Sequence, residues 1–365
     1  MSTDPMNIAI TSLYLPSGSK IGVGYQVHYL ANALVGRGHR VTVLSACPRP
    51  ADAAYDVRVV PARRRLRTFG FAWDLRRIDL TKFDVLNAHG DDWFLWGVRR
   101  PRHIHTYHGS CLQEMLNVRG AAGCLRMAAL AACETQAALL ADETVAVSEN
   151  TRRTVPGVGH VIPCGVDTEV FRPASDEKAD RPTVLFVGTM HGRKRGALLL
   201  EQFREAIRPR LPGAQLWCVC DRPTDTPDEP GVTWFGRVPL ARLVELYQRA
   251  WVFCLPSTYE GFGVPYIEAM AAGTPVVATP NPGATEVLQG GRSGRLGEIA
   301  EIPALLTELL TEADKRARLR DIGFGRAADF AWPTVVERYE RLYGGDDATG
   351  RHRSASPPAE AGLAV

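Results

Sequence analysis

Two glutamates, Glu260 and Glu268, have the residue type and the surroundings for chemistry on a phosphorylated ligand. The glycine-rich turn 261–263 between them lets the backbone approach a ligand closely and direct N–H groups at it. Pro265 favours a helix start, whose unpaired N–H groups and positive dipole end attract phosphate. A carboxylate beside a phosphate is repelled unless it accepts hydrogen bonds from hydroxyl groups. The pattern therefore predicts a site for a sugar and a ribose joined by a diphosphate.

The element behind this turn is predicted to be a helix that carries Glu268 in its first turn. Gly273 is typical of the position just past a helix end, and the apolar run Pro275–Thr279 predicts a buried strand. Each glutamate alone has an ordinary explanation, because an acidic residue in a first helical turn complements the helix dipole. That explanation does not extend to the whole stretch of glycines, prolines and carboxylates.

The stretch from Pro256 to Val277, PSTYEGFGVPYIEAMAAGTPVV, strongly resembles the nucleotide-sugar signature of retaining glycosyltransferases with the GT-B fold. These form the large glycogen-synthase-like family four. The resemblance implies an α/β chain with two facing, Rossmann-like, doubly wound domains and a last helix that crosses back to the first domain. It implies that Glu268 binds the ribose hydroxyls and that Glu260 contacts the hydroxyls of the donor sugar. It also implies donor contacts from Gly261, Phe262, Gly263 and Val264.

Length and composition fit a globular protein of two domains. The chain has 365 residues, 45% hydrophobic and 23% charged, which is too long for one ordinary core. No apolar stretch approaches the roughly 18 residues needed to cross a bilayer, and the N-terminus does not resemble a signal peptide. The eight cysteines lack CxxC spacing, so we expect free thiols in a reducing cytoplasm.

The net charge of +3 conceals an excess of basic residues in the first half of the chain. Arginines cluster at 63–67 and 76–77, and more follow at 99–102. Such clusters can hold an acidic membrane surface or a phosphorylated acceptor, either a small molecule or a lipid-linked one. No long amphipathic basic stretch accompanies them, so a solvated face is favoured over membrane association. A nucleic-acid partner is not expected at so small a net charge.

Short apolar runs alternate with helical patterns, which predicts two successive βαβ series. The first series opens with strands Asn7–Thr11 and Arg40–Ser45 around a helix at Tyr25–Val35. Further predicted strands are Val57–Val60, Val85–Ala88, His103–Tyr107, Thr144–Val147, His160–Ile162, Thr183–Val187, Gln215–Cys220, Val232–Phe235 and Trp251–Leu255. The predicted units are an acceptor-binding domain 1–175, a nucleotide-sugar-binding domain 176–330, a returning helix 331–344 and a disordered tail 345–365.

Gly22 and Gly24 close a predicted loop, Leu15–Gly24, after the first strand, and they invite comparison with the dinucleotide-binding pattern G-x-G-x-x-G. Val27 stands where the third glycine belongs. The next strand also ends without the acidic residue that would hold a ribose, so an NAD-dependent enzyme is disfavoured. In the resembling family this loop approaches the donor diphosphate, although Ile21 here replaces one of its two adjacent glycines.

The turn Gly188–Gly196 carries three consecutive basic residues, Arg193, Lys194 and Arg195. Guanidinium and ammonium groups bind phosphate, so we expect this cluster to neutralise the diphosphate. The family often has an arginine where Thr189 stands and a lysine where Arg195 stands. Which of the three basic residues binds the diphosphate is left open, and a solvated basic turn is the alternative.

His108 lies in the segment Thr106–Gly109, which resembles a family segment whose histidine is near the transferred sugar. His103, His105 and His108 also suggest zinc, but alternating strand positions rarely converge on one ion without carboxylate or cysteine partners. No metal is therefore expected. The backbone of Val238 matches a family position near the nucleotide base.

The family resemblance, together with these features, implies a retaining, metal-independent glycosyltransferase that takes a nucleoside-diphosphate sugar, with a UDP-sugar as the first expectation and no separate cofactor. Secondary-metabolite or cell-envelope glycosides are the expected context, and the acceptor is not specified. Two alternatives stay open: a nucleotide-sugar isomerase on the same scaffold, and a non-catalytic partner subunit. Thr189 and Ile21, the departures at phosphate positions, are what support the second.

Overall fold

Two parallel β-sheets form the framework of the chain in the computed structural model, which describes residues 4–17, 22–62, 67–115, 120–174, 178–224 and 228–345. The strands of the first sheet are β1 Asn7–Thr11, β2 Arg40–Ser45, β3 Asp56–Val59, β4 Val85–Ala88, β5 Arg102–Tyr107, β6 Glu143–Ala146 and β7 His160–Val161. Those of the second are β8 Thr183–Val187, β9 Gln215–Val219, β10 Val232–Trp234, β11 Val252–Leu255, β12 Val276–Ala278 and β13 Arg295–Leu296.

Both sheets have a doubly wound strand order. The first runs β3-β2-β1-β4-β5-β6-β7 and the second β10-β9-β8-β11-β12-β13. In each, the order reverses beside the first strand, and open α/β sheets bind ligands outside the carboxyl ends of the strands at that reversal. The predicted α/β architecture is therefore confirmed, and it locates the cleft where ligands are expected.

Helices connect the strands and cover the sheets. They are α1 Gly22–Gly36, α2 Arg67–Asp74, α3 Cys111–Met115, α4 Ala121–Leu140, α5 Glu149–Thr154, α6 Gly196–Gln202, α7 Leu240–Arg249, α8 Val264–Ala271, α9 Pro282–Val287, α10 Ile302–Thr311, α11 Ala313–Ala327 and α12 Trp332–Gly344. A π-helical turn, Phe203–Ile207, continues α6. None of the helices in these described ranges is long and apolar enough to cross a membrane.

Helices on both faces of a parallel sheet bury its central strands. In the second sheet the strands Thr183–Val187 and Val252–Leu255 are almost entirely buried. The predicted strand bounds agree with the structure to within two residues at each end. Strand β13 was not predicted, since the two residues Arg295–Leu296 are too few for a pattern.

The last helix, α12, completes the core of the first domain, as predicted. Its Trp332, Val336 and Tyr339 are buried in the same apolar cluster as Ile8 of β1 and Leu30 of α1. Polar contacts fix the helix as well. Glu340 is buried and pairs with Arg37 at 2.7 Å and His39 at 3.0 Å. The predicted tail beyond residue 345 lies outside the described residues.

Candidate functional site

The turn before α8 has a backbone that glycine adopts with the least strain. Gly263 has a φ of 102°, and a Cβ there would lie 2.3 Å from the Tyr266 ring. Because Gly263 supplies this left-handed cap, α8 begins at Val264, one residue before the predicted start at Pro265. Glu268 is the fifth residue of α8, so its predicted place in the first turn is wrong. It lies just beyond the first turn.

Glu260 is buried, with 5% of its surface exposed, and its carboxylate binds two cations. Its Oε2 lies 2.8 Å from Arg193 Nη1, and its Oε1 lies 3.0 Å from Lys194 Nζ. Ser257 Oγ donates a further hydrogen bond to Oε1 at 2.8 Å. Burial alone would raise the pKa of Glu260, but Lys194 and Arg193 outweigh it and the pKa is lowered. Glu260 is therefore ionised at neutral pH and held in one position.

Glu268 is half-buried and accepts a hydrogen bond from the Tyr247 hydroxyl at 3.1 Å. Burial raises the pKa of Glu268 to about 7, although the Tyr247 hydrogen bond and the charge of Lys194 both act to lower it. Lys194 thus acts on both carboxyl groups, since it pairs with Glu260 and also lowers the pKa of Glu268. The Lys194 ammonium group therefore pairs with Glu260 and also favours the charged form of Glu268.

Arg195 differs from the other two basic residues of its turn. It precedes α6 with a left-handed φ of 54°, which is uncommon for a residue with a side chain. In the described ranges its guanidinium forms no hydrogen bond or ion pair, whereas Glu260 holds Arg193 and Lys194. Thr189, at the other end of the turn, donates its hydroxyl to the His191 carbonyl at 2.9 Å. Arg195 is therefore the member of the cluster left available to an incoming anion.

On the first-domain side, His108 follows β5 and bonds His89, which follows β4. Nε2 of His108 and Nδ1 of His89 are 2.7 Å apart. Burial, with a smaller contribution from His105, lowers the pKa of His108 to about 4. Burial also lowers the pKa of His89, so both rings are neutral at neutral pH. His89 Nε2 is buried without a hydrogen-bond partner among the described residues, and both histidines line a small recess with Gln26, Cys164 and Tyr339.

Two acidic residues after β4 lie at the same edge of the sheet, and neither they nor His89 were predicted as site residues. Asp92 is fully buried and accepts hydrogen bonds from His103 Nε2 and His105 Nδ1, each at 2.7 Å. Burial would raise the pKa of Asp92, but the two histidines lower it. Asp91 has a positive φ of 67°, and its burial, with the charge of Asp92, raises its pKa to about 8. The signal for all three residues is their place directly after a buried parallel strand.

The three histidines whose spacing suggested zinc form hydrogen bonds with other side chains. The pair His103 and His105 binds Asp92, while His108 turns to His89. No group of three or more metal-binding side chains suited to an ion occurs within the ranges that the structure describes.

The two sides of the site meet across the cleft. Gly261 packs against the backbone of His108, and a Cβ at Gly261 would lie 2.8 Å from the His108 carbonyl oxygen. Glu286 of α9 accepts the backbone N–H of Glu149 at 2.9 Å, at the start of α5 in the first domain. Asn281 caps α9 by accepting the Ala284 N–H at 3.0 Å. The two domains are therefore in contact at the turn that carries Glu260.

Gly22 and Gly24 lie in the first turn of α1, so the predicted loop Leu15–Gly24 ends too late. The absence of a side chain at Gly24 lets α1 pack on the Tyr14 backbone, since a Cβ would lie 2.8 Å from the Tyr14 carbonyl oxygen. Both glycines stay candidate donor contacts through their backbones. Ile21 lies outside the described residues.

Two other predicted donor contacts have side chains turned towards the protein. The Phe262 ring is buried against Phe330, with ring centroids 5.5 Å apart, so the backbone is the part of Phe262 that can face a ligand. Val238 is partly buried and packs on the core of the second domain. Their roles at the site stay predictions.

Comparison with known families matches this architecture along most of the chain. Residues 21–170 match the family described as Glycosyltransferase Family 4. Residues 181–312 match the family described as Glycosyl transferases group 1. Together the two matches cover more than half of the chain.

Two curated relatives are similar over shorter stretches. The MMP alpha-(1->4)-mannosyltransferase of Mycolicibacterium hassiacum is 30% identical over 198 residues, which is 50% of this chain and 47% of that protein. An alpha-maltose-1-phosphate synthase of Mycolicibacterium smegmatis is 29% identical over 255 residues, 58% of this chain and 65% of that protein. The chain therefore spans about half to two thirds of the length of the first curated relatives it matches.

Among solved structures, sucrose-phosphate synthase from Thermosynechococcus elongatus has a TM-score of 0.78 at 22% identity and covers 93% of this chain and 98% of its own. Its likeness shows that the overall fold is shared. Taken with the two family matches, the paired doubly wound sheets and the returning helix show that the chain belongs to glycosyltransferase family 4 and has the GT-B fold.

Proposed function

We propose that the chain is a retaining glycosyltransferase that moves a sugar from a nucleoside-diphosphate sugar to a hydroxyl acceptor. The observation that carries the proposal is the arrangement of Glu260, Glu268 and Lys194 beside the unpaired N–H groups that begin α8. Anions bind at helix N-termini, and hydroxyl groups bind at carboxylates. A sugar and a ribose joined by a diphosphate present hydroxyl groups on both sides of an anion, which matches two carboxylates beside one anion site.

In this proposal each group at the site has one task. Glu268 accepts hydrogen bonds from the ribose hydroxyls, and Glu260 accepts them from the donor sugar. The N–H groups of Gly263 and Val264, with Arg195, bind the diphosphate. Its charge grows as the sugar leaves, and fixed cations and N–H groups stabilise such growing charge.

Transfer with retention is proposed to occur on one face of the sugar. The bond from the anomeric carbon to the diphosphate oxygen breaks, and the acceptor oxygen bonds to that carbon from the same side. The acceptor proton passes to the departing diphosphate. No enzyme nucleophile is assigned, and the protein cations carry the charge without a metal or a separate cofactor. His108, neutral because its pKa is lowered to about 4, serves as a hydrogen-bond partner for a sugar hydroxyl.

A UDP-sugar is the first donor to test, and the cytoplasm is the proposed compartment. A structural relative, HepE of Anabaena, was solved with UDP-glucose; it has a TM-score of 0.73 at 17% identity and covers 93% of this chain and 100% of its own. Cys47, Cys164, Cys218, Cys220 and Cys254 are buried free thiols, which suits a reducing compartment. Small-molecule and lipid-linked hydroxyl acceptors both fit the proposal.

The test begins with binding. Thermal unfolding is recorded with UDP, GDP, ADP and dTDP separately, for the native chain and for Glu268→Ala. A ligand at 100 times its Kd stabilises by about 2.7 kcal/mol, so a shift with one nucleotide is readily seen. We expect a shift with one nucleotide that Glu268→Ala weakens or abolishes.

The transfer itself is tested by supplying the matching sugar nucleotide with a panel of acceptors. The anomeric configuration of the product, measured by NMR, decides whether the configuration is retained. A changed sugar nucleotide formed without any acceptor would indicate an isomerase. Nucleotide binding without turnover would favour the alternative of a non-catalytic partner subunit. Thr189 is the structural argument for that alternative, because its hydroxyl donates a hydrogen bond to the His191 carbonyl in the same turn.

A further inference from the structure

Two buried ring nitrogens in the first domain line the same small recess without a hydrogen-bond partner. They are Nε2 of His89, which follows β4, and Nε1 of Trp332, the first residue of α12, and neither is bonded to any of the described residues. His89 and Trp332 have 7% and 8% of their surfaces exposed. Buried polar atoms are normally paired with the protein or with ordered water, so these two nitrogens indicate a bound molecule.

The recess has the size of a site for one water molecule. Side chains of α1 and α12 line it, together with the segments that follow β4 and β5. Its volume, measured as the space open to the centre of a water molecule, is about 10 Å³. A bound water needs about that much space and roughly two to four polar partners. His89 Nε2 and Trp332 Nε1 supply two such partners.

Both rings are held in place by their surroundings. The Trp332 ring lies against Gly165, where an added Cβ would be 2.5 Å from a ring carbon. The backbone N–H of His89 donates to the Thr11 carbonyl at 3.0 Å, and His89 Nδ1 lies 2.7 Å from His108 Nε2. Because neither ring is free to turn to another partner, a bound water is the remaining way to pair both nitrogens.

The other polar side chains of the recess are already engaged or are weak partners. Gln26 accepts the Gly165 N–H at 2.9 Å and donates to the Gly165 carbonyl at 3.1 Å. The Tyr339 hydroxyl shares a hydrogen bond with Thr106. Burial raises the pKa of the Cys164 thiol to about 12, so it stays protonated, and a thiol is a weak donor and acceptor. The water therefore depends on His89 and Trp332.

Trp332 and His89 set the direction of the hydrogen bonds through this water. The indole N–H of Trp332 can only donate, so the water accepts from it and donates to His89 Nε2. Burial lowers the pKa of both His89 and His108, so each neutral ring carries one proton. With Nε2 accepting, the His89 proton is on Nδ1, which donates to His108 Nε2. The His108 proton must then be on Nδ1.

We propose that a water molecule bound by Trp332 and His89 holds His108 in its Nδ1–H form. His108 is half-buried, and within the described ranges Nδ1 is its ring nitrogen without a hydrogen bond. It therefore presents a donor, and not an acceptor, to an oxygen of the ligand. Trp332 is a positioning residue, since it acts on the ligand through the water, His89 and His108. That the ligand is a donor sugar rests on the proposed function, whereas the position of the proton does not.

The test is NMR of the full chain with nitrogen-15 in the histidine rings, at neutral pH and without donor or acceptor. His89→Gln and His108→Gln identify the two ring signals by their loss. In the native chain we expect nitrogen shifts that mark Nδ1 as protonated and Nε2 as unprotonated in both rings. We also expect a cross-peak between the Trp332 indole N–H and a bound water. A His108 ring protonated on Nε2, or an indole N–H without contact to water, would overturn the proposal.

Trp332→Phe removes the indole N–H and keeps an aromatic ring beside Gly165. We expect the His108 nitrogen shifts to move towards a mixture of the two proton positions. Trp217→Phe is the matched control, because it removes an indole N–H that is bonded to Gln215 in the second domain. It should leave the histidine shifts unchanged. Equal effects of the two variants would show that Trp332 does not set the proton position.

Activity then tests the consequence for the ligand. With an identified donor, kcat of Trp332→Phe should fall by about tenfold, the scale for one weakened hydrogen bond, while nucleotide affinity is unchanged. An unchanged kcat would overturn the positioning role of Trp332. The proton positions are measured without any donor, so a chain that transfers no sugar would overturn the proposed function and leave the result at His108 standing.

Discussion

The Glu286 carboxylate in the second domain caps a helix of the first domain, since it accepts the Glu149 N–H at 2.9 Å. Burial raises the pKa of Glu286, and the hydrogen bonds from the Glu149 and Asn150 N–H groups act against this effect. The contact closes the cleft on the side of α5. It makes a helix end in one domain depend on a side chain in the other.

Glu286→Ala should therefore lower the free energy of unfolding by about 0.5–2 kcal/mol, the range for a lost helix cap. The measurement is chemical denaturation of the unliganded chain. Glu205→Ala, which removes an exposed carboxylate on the second domain, is the control and should stay within about 0.5 kcal/mol of the native value. An equal loss in both variants would show that the cap contributes nothing.

Gly261→Ala should reduce turnover without unfolding the protein. The added Cβ would lie 2.8 Å from the His108 carbonyl oxygen, so the domains must move apart to accept it. We expect kcat/KM to fall by about 100-fold, the scale for a small misplacement of reacting groups. Gly36→Ala provides the comparison, because a Cβ there meets no atom within 4 Å. Full activity in Gly261→Ala would mean that the contact between Gly261 and the His108 backbone is not needed for transfer.

Glu260→Gln should lower kcat/KM by about 100- to 1000-fold, the scale for removing one group that stabilises a transition state. The change leaves Lys194 and Arg193 without their buried anion. It also removes the carboxylate proposed to accept hydrogen bonds from the sugar hydroxyls. Steady-state kinetics with the identified donor measure the loss. Glu337→Gln on the surface of α12 should have no effect. If Glu260→Gln stayed active, the carboxylate would be needed for structure alone.

Nucleotide affinity should depend on the ionisation of Glu268. Its pKa is raised to about 7, so the carboxylate that we propose accepts the ribose hydroxyls is increasingly protonated below neutral pH. We expect the Kd for the matching nucleotide to rise by up to about tenfold for each pH unit below 7. Calorimetric titrations from pH 8 to about pH 5 follow this change. Glu268→Gln should bind weakly with a flatter profile, and identical profiles in both proteins would refute the ribose assignment.

The raised pKa of Glu268 affects the stability of the unliganded protein in the opposite direction to its effect on nucleotide affinity: affinity rises with pH, whereas stability falls. A carboxyl group whose folded pKa is raised binds its proton more tightly in the folded than in the unfolded chain. Its effect on stability is therefore greatest at low pH and is lost as pH rises through about 7. As pH rises from 4.5 to about 7, the free energy of unfolding of the unliganded native chain should fall relative to that of Glu268→Gln. Denaturation of both proteins across the same pH range measures the difference.

The sequence predicted those parts of the fold that depend on long apolar patterns. Strands such as Asn7–Thr11 and Thr183–Val187 were placed correctly because four of the five residues in each are buried. The start of α8 was misplaced by one residue because the left-handed backbone of Gly263 ends the turn early. The types of the residues alone do not predict the φ angle of Gly263.

The part of the candidate site in the second domain was easier to locate from the sequence than the part in the first domain. Glu260 and Glu268 belong to a long stretch with fixed spacing, whereas His89 and Asp91 are single polar residues after a strand. Their importance comes from neighbours distant in sequence, such as the contact of His89 with His108. The pairing of Lys194 with Glu260 was likewise invisible, since it depends on how two separate turns meet.

The return of α12 to the first domain has a consequence for synthesis on the ribosome. Trp332 and Tyr339 fill the same core as Ile8, and Gly165 has no room for a side chain beside the Trp332 ring. The first domain is translated early but cannot finish its core until the whole second domain has been made. The nascent amino-terminal half must therefore wait, with an apolar surface uncovered, for the last helix to emerge.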